Sequence, residues 1–202
     1  IIASKNIRFE GDGYSEEWKE EALKRGLTNI SHVPEAIMRF NDKQSREVLI
    51  GENIFNENEL ICRIEVELEK FTKKVQIESR VLGDLAINHI VPTAVIYQNR
   101  LLENLRGLRE TFSQVEYEML GADRRELVKE IQFRILEIKQ LVREMTEARR
   151  ISNRLTSQVE KAYSYEEKVR PYMEQIREHI DHLELEIDDE IWPLPKYREL
   201  LF

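Results

Sequence analysis

Apolar residues along most of this chain recur at alternating steps of three and four, and that spacing constrains the fold more than any other feature. Ile61, Ile64, Leu68, Phe71 and Val75 form one such series, and Ile131, Ile135, Ile138, Val142 and Met145 form a second. Val169, Met173, Ile176, Ile180, Leu183 and Ile187 form a third. A 3-4 alternation places all these side chains on one seam of an α-helix, the pattern of helices packed nearly parallel or antiparallel. Neither glycine nor proline interrupts residues 52–82 or 122–170, so long helices have room to form. The whole chain of 202 residues has 7 glycines and 5 prolines, about half the usual share, which leaves little room for hairpins and sheets. The expected fold is all-α: an elongated antiparallel bundle of three long helices with a small N-terminal appendage of short helices. The first long helix should run to about Phe112, roughly 80 Å if unbroken at 1.5 Å per residue.

Charge supports pairing of the second and third helices. Residues 122–154 hold nine Lys/Arg against six Asp/Glu, whereas residues 156–192 hold four against eleven. Opposite signs on neighbouring helices favour an antiparallel hairpin, expected to turn near Asn153–Gln158, although each exposed pair contributes only a fraction of a kcal/mol. In the first quarter, Gly11, Gly13, Gly26, Pro34 and Gly51 mark short elements. Ile7-Arg8-Phe9 reads as the end of a strand, and Ser15 as the N-cap of a helix through about Lys24, stopped by Gly26. A second short helix starts around Pro34, whose fixed φ suits a first turn, and Phe55-Asn56-Glu57-Asn58 breaks the pattern again.

The balance of 31 Lys/Arg against 39 Asp/Glu, a formal charge of −8, argues against a nucleic-acid or anionic-membrane surface. No stretch approaches the roughly 18 consecutive apolar residues of a membrane span, and the first residues are not a signal peptide. One cysteine, Cys62, allows no internal disulfide and fits a reducing compartment, so cytoplasmic is the expected location. The chain begins without Met, as if taken from something longer.

Candidate chemistry is sparse. Gly11-Asp12-Gly13-Tyr14-Ser15 before a helix can cradle a phosphate, but without Gly-Lys-Ser/Thr it reads better as a tight turn with an N-cap. His179 and His182, spaced i, i+3 with Asp181 and Glu178 beside them, admit a surface metal site. No histidine follows a glutamate by three residues as in di-iron bundles, so a solvated face is the better reading. The acidic run Glu184, Glu186, Asp188, Asp189 and Glu190 lacks the oxygen spacing and glycine of a calcium loop. Cys62 sits beside the apolar seam and reads as a buried, inert thiol.

Residues 80–94 are apolar around most of a helical circumference, which predicts burial on more than one side. Arg80, Asp84 and Asn88 recur every four residues there, with His89 alongside, as a candidate buried polar cluster. It reads either as a binding or catalytic group or as a satisfied network that sets helix register, and the second is favoured. Gly83 permits close approach of another element, and Pro92 should kink the helix. At the end of the chain, Trp192, Leu194, Tyr197 and Phe202 follow an acidic helix, and Pro193 and Pro195 stop that helix. So apolar a tail is expected to fold back and dock.

Three of these stretches carry a resemblance. Gly11-Asp12-Gly13-Tyr14-Ser15-Glu16-Glu17-Trp18, the run from Ile77 to Ala86 with Asn88-His89-Ile90 and Pro92-Thr93-Ala94, and the run from Asp188 to Phe202 occur in one order. Together the chain resembles the C-terminal region of type III glutamine synthetases. The resemblance implies a parent enzyme that joins ammonia to glutamate, consuming ATP through a γ-glutamyl phosphate with Mg²⁺ or Mn²⁺, in a ring-shaped homo-oligomer. The family's metal-binding glutamates and phosphate-binding arginines lie upstream of Ile1, so no catalytic, cofactor-binding or metal-binding role transfers to any residue here. Residues 1–56 then look like the trailing edge of the catalytic domain and residues 57–202 like a helical C-terminal domain. That domain would be non-catalytic and inactive alone, with no cofactor of its own and a role in packing, assembly or regulation. Its partners would be the catalytic domain of the same chain and neighbouring subunits, with no nucleic acid and no membrane. Two other readings remain from the residues themselves: a free-standing helical interaction module, and a small helical enzyme using the Arg80–Asp84–Asn88 stripe.

Overall fold

The computed structural model describes residues 8–196 and Glu199. Among them every regular element is helical. Two compact units divide at residues 64 and 65, inside a long helix.

The first unit is built from α1 (Glu16–Lys24), α2 (Val33–Met38) with a 3₁₀ turn at Arg39–Asn41, α3 (Lys43–Gly51) and the opening turns of α4 (Glu57–Leu85). Its boundaries follow local chemistry. Ser15 caps α1 by accepting from the Trp18 amide at 3.2 Å, and Tyr14 N donates to Asp12 Oδ1 at 2.9 Å. Gly26 ends the helix at φ +73°, a conformation that excludes most side chains. Pro34 opens α2. Asn56 caps α4 reciprocally: its Oδ1 accepts from the Glu59 amide at 2.9 Å while its own amide donates to Glu59 Oε2 at 2.8 Å. The expected strand is absent among the described residues. Phe9 instead turns its ring onto Trp18, centroid to centroid 4.8 Å. Gly11 leaves room for that ring, since a Cβ there would come within 2.7 Å of it. Ile7 lies outside the described residues.

The second unit is a three-helix bundle. The first arm is α4 continued through a π-turn (Ala86–Ile90) into α5 (Val91–Thr111). After a short α6 (Gln114–Leu120) comes the second arm, α7 (Ala122–Ser152). The third arm joins α8 (Gln158–Ser164), a second π-turn (Tyr165–Val169) and α9 (Arg170–Glu186). Side-chain pairs fix the directions. Ser152 with Ser164, Asn153 with Tyr165 and Arg134 with His179 keep a nearly constant sum of residue numbers, so the second and third arms are antiparallel. Gln76 with Asn153 and Gln98 with Val128 do the same for the first and second. The hairpin turns between Ser152 and Gln158, where expected.

The core follows the apolar seams of the second and third arms. Ile131, Ile135, Ile138 and Met145 on α7 meet Val169, Ile176, Ile180 and Leu183 from the third arm, all buried. The first arm adds Val75, Ile90 and Val91 to it, and smaller residues between them let the arm approach closely. Ser79 and Ala86 are fully covered, and Gly83 lies against Val142 and Met145, where a Cβ would sit 3.4 Å from Met145 Cε.

Each π-turn precedes a proline by the same interval. Val91 N donates to the carbonyl of Ala86 and Arg170 N to that of Tyr165, each five residues back, and Pro92 and Pro171 follow directly. A proline lacks the donor for its i−4 carbonyl and clashes with it in a regular helix. Inserting one residue at the turn lets both helices continue past the ring. Pro92, expected to kink the helix, is accommodated in this way, and both turns pack against α7.

Candidate functional site

The densest interhelical polar contacts lie where α4, α7 and the Tyr165–Val169 turn meet. Tyr165 is fully buried as a residue, and its hydroxyl donates to Asn153 Oδ1 at 2.8 Å. Gln76 Nε2 reaches Asn153 Oδ1 at 3.0 Å and the Tyr165 oxygen at 3.2 Å, so three arms share one network. Burial raises the Tyr165 pKa above its usual 10, which keeps the phenol a donor. Below it the Ser152 and Ser164 hydroxyls meet at 2.7 Å in the core. From α7, Arg149 Nη1 approaches Ser79 Oγ at 3.5 Å. Its pKa is lowered by burial first and by the nearby Arg80 second. The network positions the three arms against one another. It holds no nucleophile paired with a base.

Of the polar stripe expected to be buried, Arg80, Asp84, Asn88 and His89 are all exposed. Asn88 Nδ2 donates to Asp84 Oδ1 at 2.6 Å along the helix surface. The expectation fails because bulky apolar residues do not mark the covered face here. Close packing on α7 selects Ser79, Gly83 and Ala86, one position round from the stripe, and leaves Ile77 61% and Val81 52% exposed. Cys62 is exposed, not buried. The buried line of α4 runs through Leu60, Ile64 and Leu68, and residue 62 falls about 200° from both 60 and 64 on a helix of 3.6 residues per turn.

His179, expected on a solvated face, is half-buried beside Arg134, whose Nη1 lies 3.2 Å from His179 Nδ1. Burial first and Arg134 second hold the imidazole below its usual 6.5, so it is a neutral acceptor at pH 7. His182 is exposed, and among the described residues no group of His, Cys, Asp and Glu is arranged to hold a metal ion.

The tail folds back as far as it is described. Trp192 is 8% exposed and part of the core, with Ile191 and Leu194 packed against it. Lys196 fastens it. Its ammonium donates to the carbonyls of Glu184 and Ile187 at the end of α9, pairs with Asp189, and sits 5.7 Å over the Trp192 ring. A cation on unsatisfied helix-end carbonyls is a favourable cap, and no periodicity in the sequence flags it. Arg100 on α5 reaches Asp188 at 3.3 Å. Tyr197 and Phe202 lie outside the described residues.

The family model for the glutamine synthetase C-terminal domain matches residues 1–109, more than half of the chain. The chain belongs to this family. It is 73% identical over all 202 residues to a protein of Bacteroides fragilis named glutamine synthetase, and 30% identical over 208 aligned positions to the type-3 glutamine synthetase of Dictyostelium discoideum. In both alignments it is covered completely but spans only 28% of the relative's length. A Butyrivibrio fibrisolvens glutamine synthetase is 30% identical over 105 residues, 52% of this chain and 15% of that protein. No described helix is long and apolar enough to cross a membrane.

Proposed function

We propose that this chain is the non-catalytic C-terminal portion of a glutamine synthetase and packs against the remainder of that enzyme. The parent, in this reading, condenses glutamate with ammonia at the expense of ATP, with Mg²⁺ or Mn²⁺, in the cytoplasm. Residues 1–56 are the trailing edge of its catalytic domain and residues 57–202 a helical domain in contact with that domain and with neighbouring subunits. The observation that carries the reading is a surplus of exposed apolar side chains on the first arm of a family member: Ile77 and Val81 on α4 and Val95 and Ile96 on α5 stand exposed while the bundle fills its own core without them. Single exposed apolar residues are ordinary, but four exposed β-branched side chains on one arm fit a surface that another part of the protein covers. Leu23, Phe40, Val48 and Ile54 give the first unit a similar surplus.

The test uses the full-length enzyme. Ile77→Asp with Val81→Asp should leave the chain folded, because both side chains face water within the bundle, yet weaken assembly by analytical ultracentrifugation or lower glutamine formation. Unchanged sedimentation and turnover in the double variant would refute the reading. The chain alone should neither form glutamine nor bind Mg-ATP by calorimetry.

A further inference from the structure

A groove of about 740 Å³ runs between α7 and the third arm. Glu144, Glu147, Ala148 and Ile151 form its α7 wall. Lys168, Pro171, Tyr172 and Gln175 form the other, with Glu167 beside them. Each wall is spaced i, i+3, i+4, i+7, a straight row along one helix, so the two antiparallel walls bound a trough that suits a further helix. The α7 wall is turned away from Val142 and Arg149, which meet the first arm at Gly83 and Ser79. Ala148 and Tyr172 pack against the core and continue it outwards to Pro171 and to Ile151, which is 48% exposed. Around this apolar floor the charges do not balance, since three carboxylates line the groove with one ammonium, Lys168. Glu147 pairs with Arg150 at 2.9 Å. Glu144 is half-buried and accepts from the neutral Gln140 amide at 2.8 Å. Among the described residues neither Glu144 nor Glu167 has a cation within ion-pair distance.

The groove between α4 and α9 is of another kind. Ile77, Val81, Leu82, Leu85 and Met173 line it with two carboxylates and two guanidiniums, so it is both more apolar and electrically balanced. Permanent interfaces are the more apolar kind, whereas reversible ones keep a polar rim. We propose that the groove between α7 and the third arm is a reversible docking site for a basic amphipathic helix of a separate protein. The apolar face of that helix covers Ala148, Ile151, Pro171 and Tyr172, and its Lys or Arg side chains reach Glu144 and Glu167. This groove lies on a different flank of the bundle from Ile77 and Val81, so the inference goes beyond the packing role above and does not depend on it.

The probe is a labelled synthetic peptide of leucine and lysine whose leucines recur at steps of three and four, titrated into the full-length enzyme by fluorescence anisotropy. It should bind saturably and more weakly as salt is raised. Two control peptides should not bind: one with glutamate in place of lysine, and one with leucine and lysine strictly alternating, which has the same charge but no helical apolar face. Glu144→Gln combined with Glu167→Gln should weaken binding about tenfold, as loss of two solvent-screened ion pairs allows. Ile151→Ser, at an exposed position, should also weaken it, and Glu78→Gln, in the groove between α4 and α9, should leave it unchanged. Circular dichroism and melting temperature should match the wild type in all these variants. No binding to the full-length enzyme would overturn the proposal, and binding to this chain alone would show that the remainder of the enzyme fills the groove, which also overturns it. Equal binding of the alternating peptide, or variants that bind like the wild type, would do the same.

Discussion

Replacing Trp192 by alanine tests whether the tail is a structural part of the bundle. The indole is 8% exposed and joins the core, with Lys196 over its face. An aromatic side chain of this kind buries about 150–250 Å², which at ~25 cal/mol per Å² gives an upper figure of roughly 4–6 kcal/mol. A compact denatured chain already hides some 10–40% of that area, and the alanine methyl retains a little more. Some collapse of a site near the chain end lowers the cost further, so the expected loss is about 3 kcal/mol, at the low end for aromatic-to-alanine core changes. For a cooperative unit of about 150 residues that is a fall in Tm of roughly 6–12 °C. The assay is thermal and urea unfolding followed by circular dichroism, with Leu185→Ala as a control because Leu185 is 82% exposed. The control should change stability by less than about 0.5 kcal/mol. A Trp192→Ala variant within about 1 kcal/mol of the wild type would show that the tail is not anchored by the indole.

Gly83→Ala should be neutral or stabilise by up to about 1 kcal/mol, since the new methyl meets Met145 Cε at 3.4 Å and helix propensity improves, whereas Gly83→Leu should destabilise in the same urea titrations. His179 makes the second unit sensitive to acid. Its folded pKa lies below 6.5, so the unfolded chain binds the proton more readily, and stability is full above 6.5 and falls as the pH drops below it. Arg134, Glu137, Glu178 and His182 all act on that imidazole. His179→Gln should flatten the Tm profile between pH 7 and 5.5, and an unchanged slope would assign the acid sensitivity to other groups. Asp84→Leu and Glu178→Leu should both lie within about 0.5 kcal/mol of the wild type, because both carboxylates face water. A markedly lower Tm for Asp84→Leu alone would place a hidden partner on the stripe.

The sequence alone determines the helical arms and their pairing. Seam residues such as Ile131, Ile138, Ile176 and Leu183 recur at the helical period, and caps such as Ser15 and stops such as Gly26 act within a few residues of themselves. The Ser113–Glu116 capping box marks α6 just as locally, although the apolar seams pass over it. Everything that depends on a partner distant along the chain was decided by tertiary packing. The covered face of α4 follows from how closely α7 approaches at Gly83, which hydrophobicity does not encode, and so Arg80, Asp84, Asn88 and His89 stand in water. Arg149 meets Ser79 and Arg134 meets His179 because separate helices fold against one another, and Lys196 caps α9 because the tail folds back on it. Period and capping are short-range properties of a backbone, whereas the pairing of charges across a bundle depends on the rotation of each helix about its axis, which the helices set only against one another.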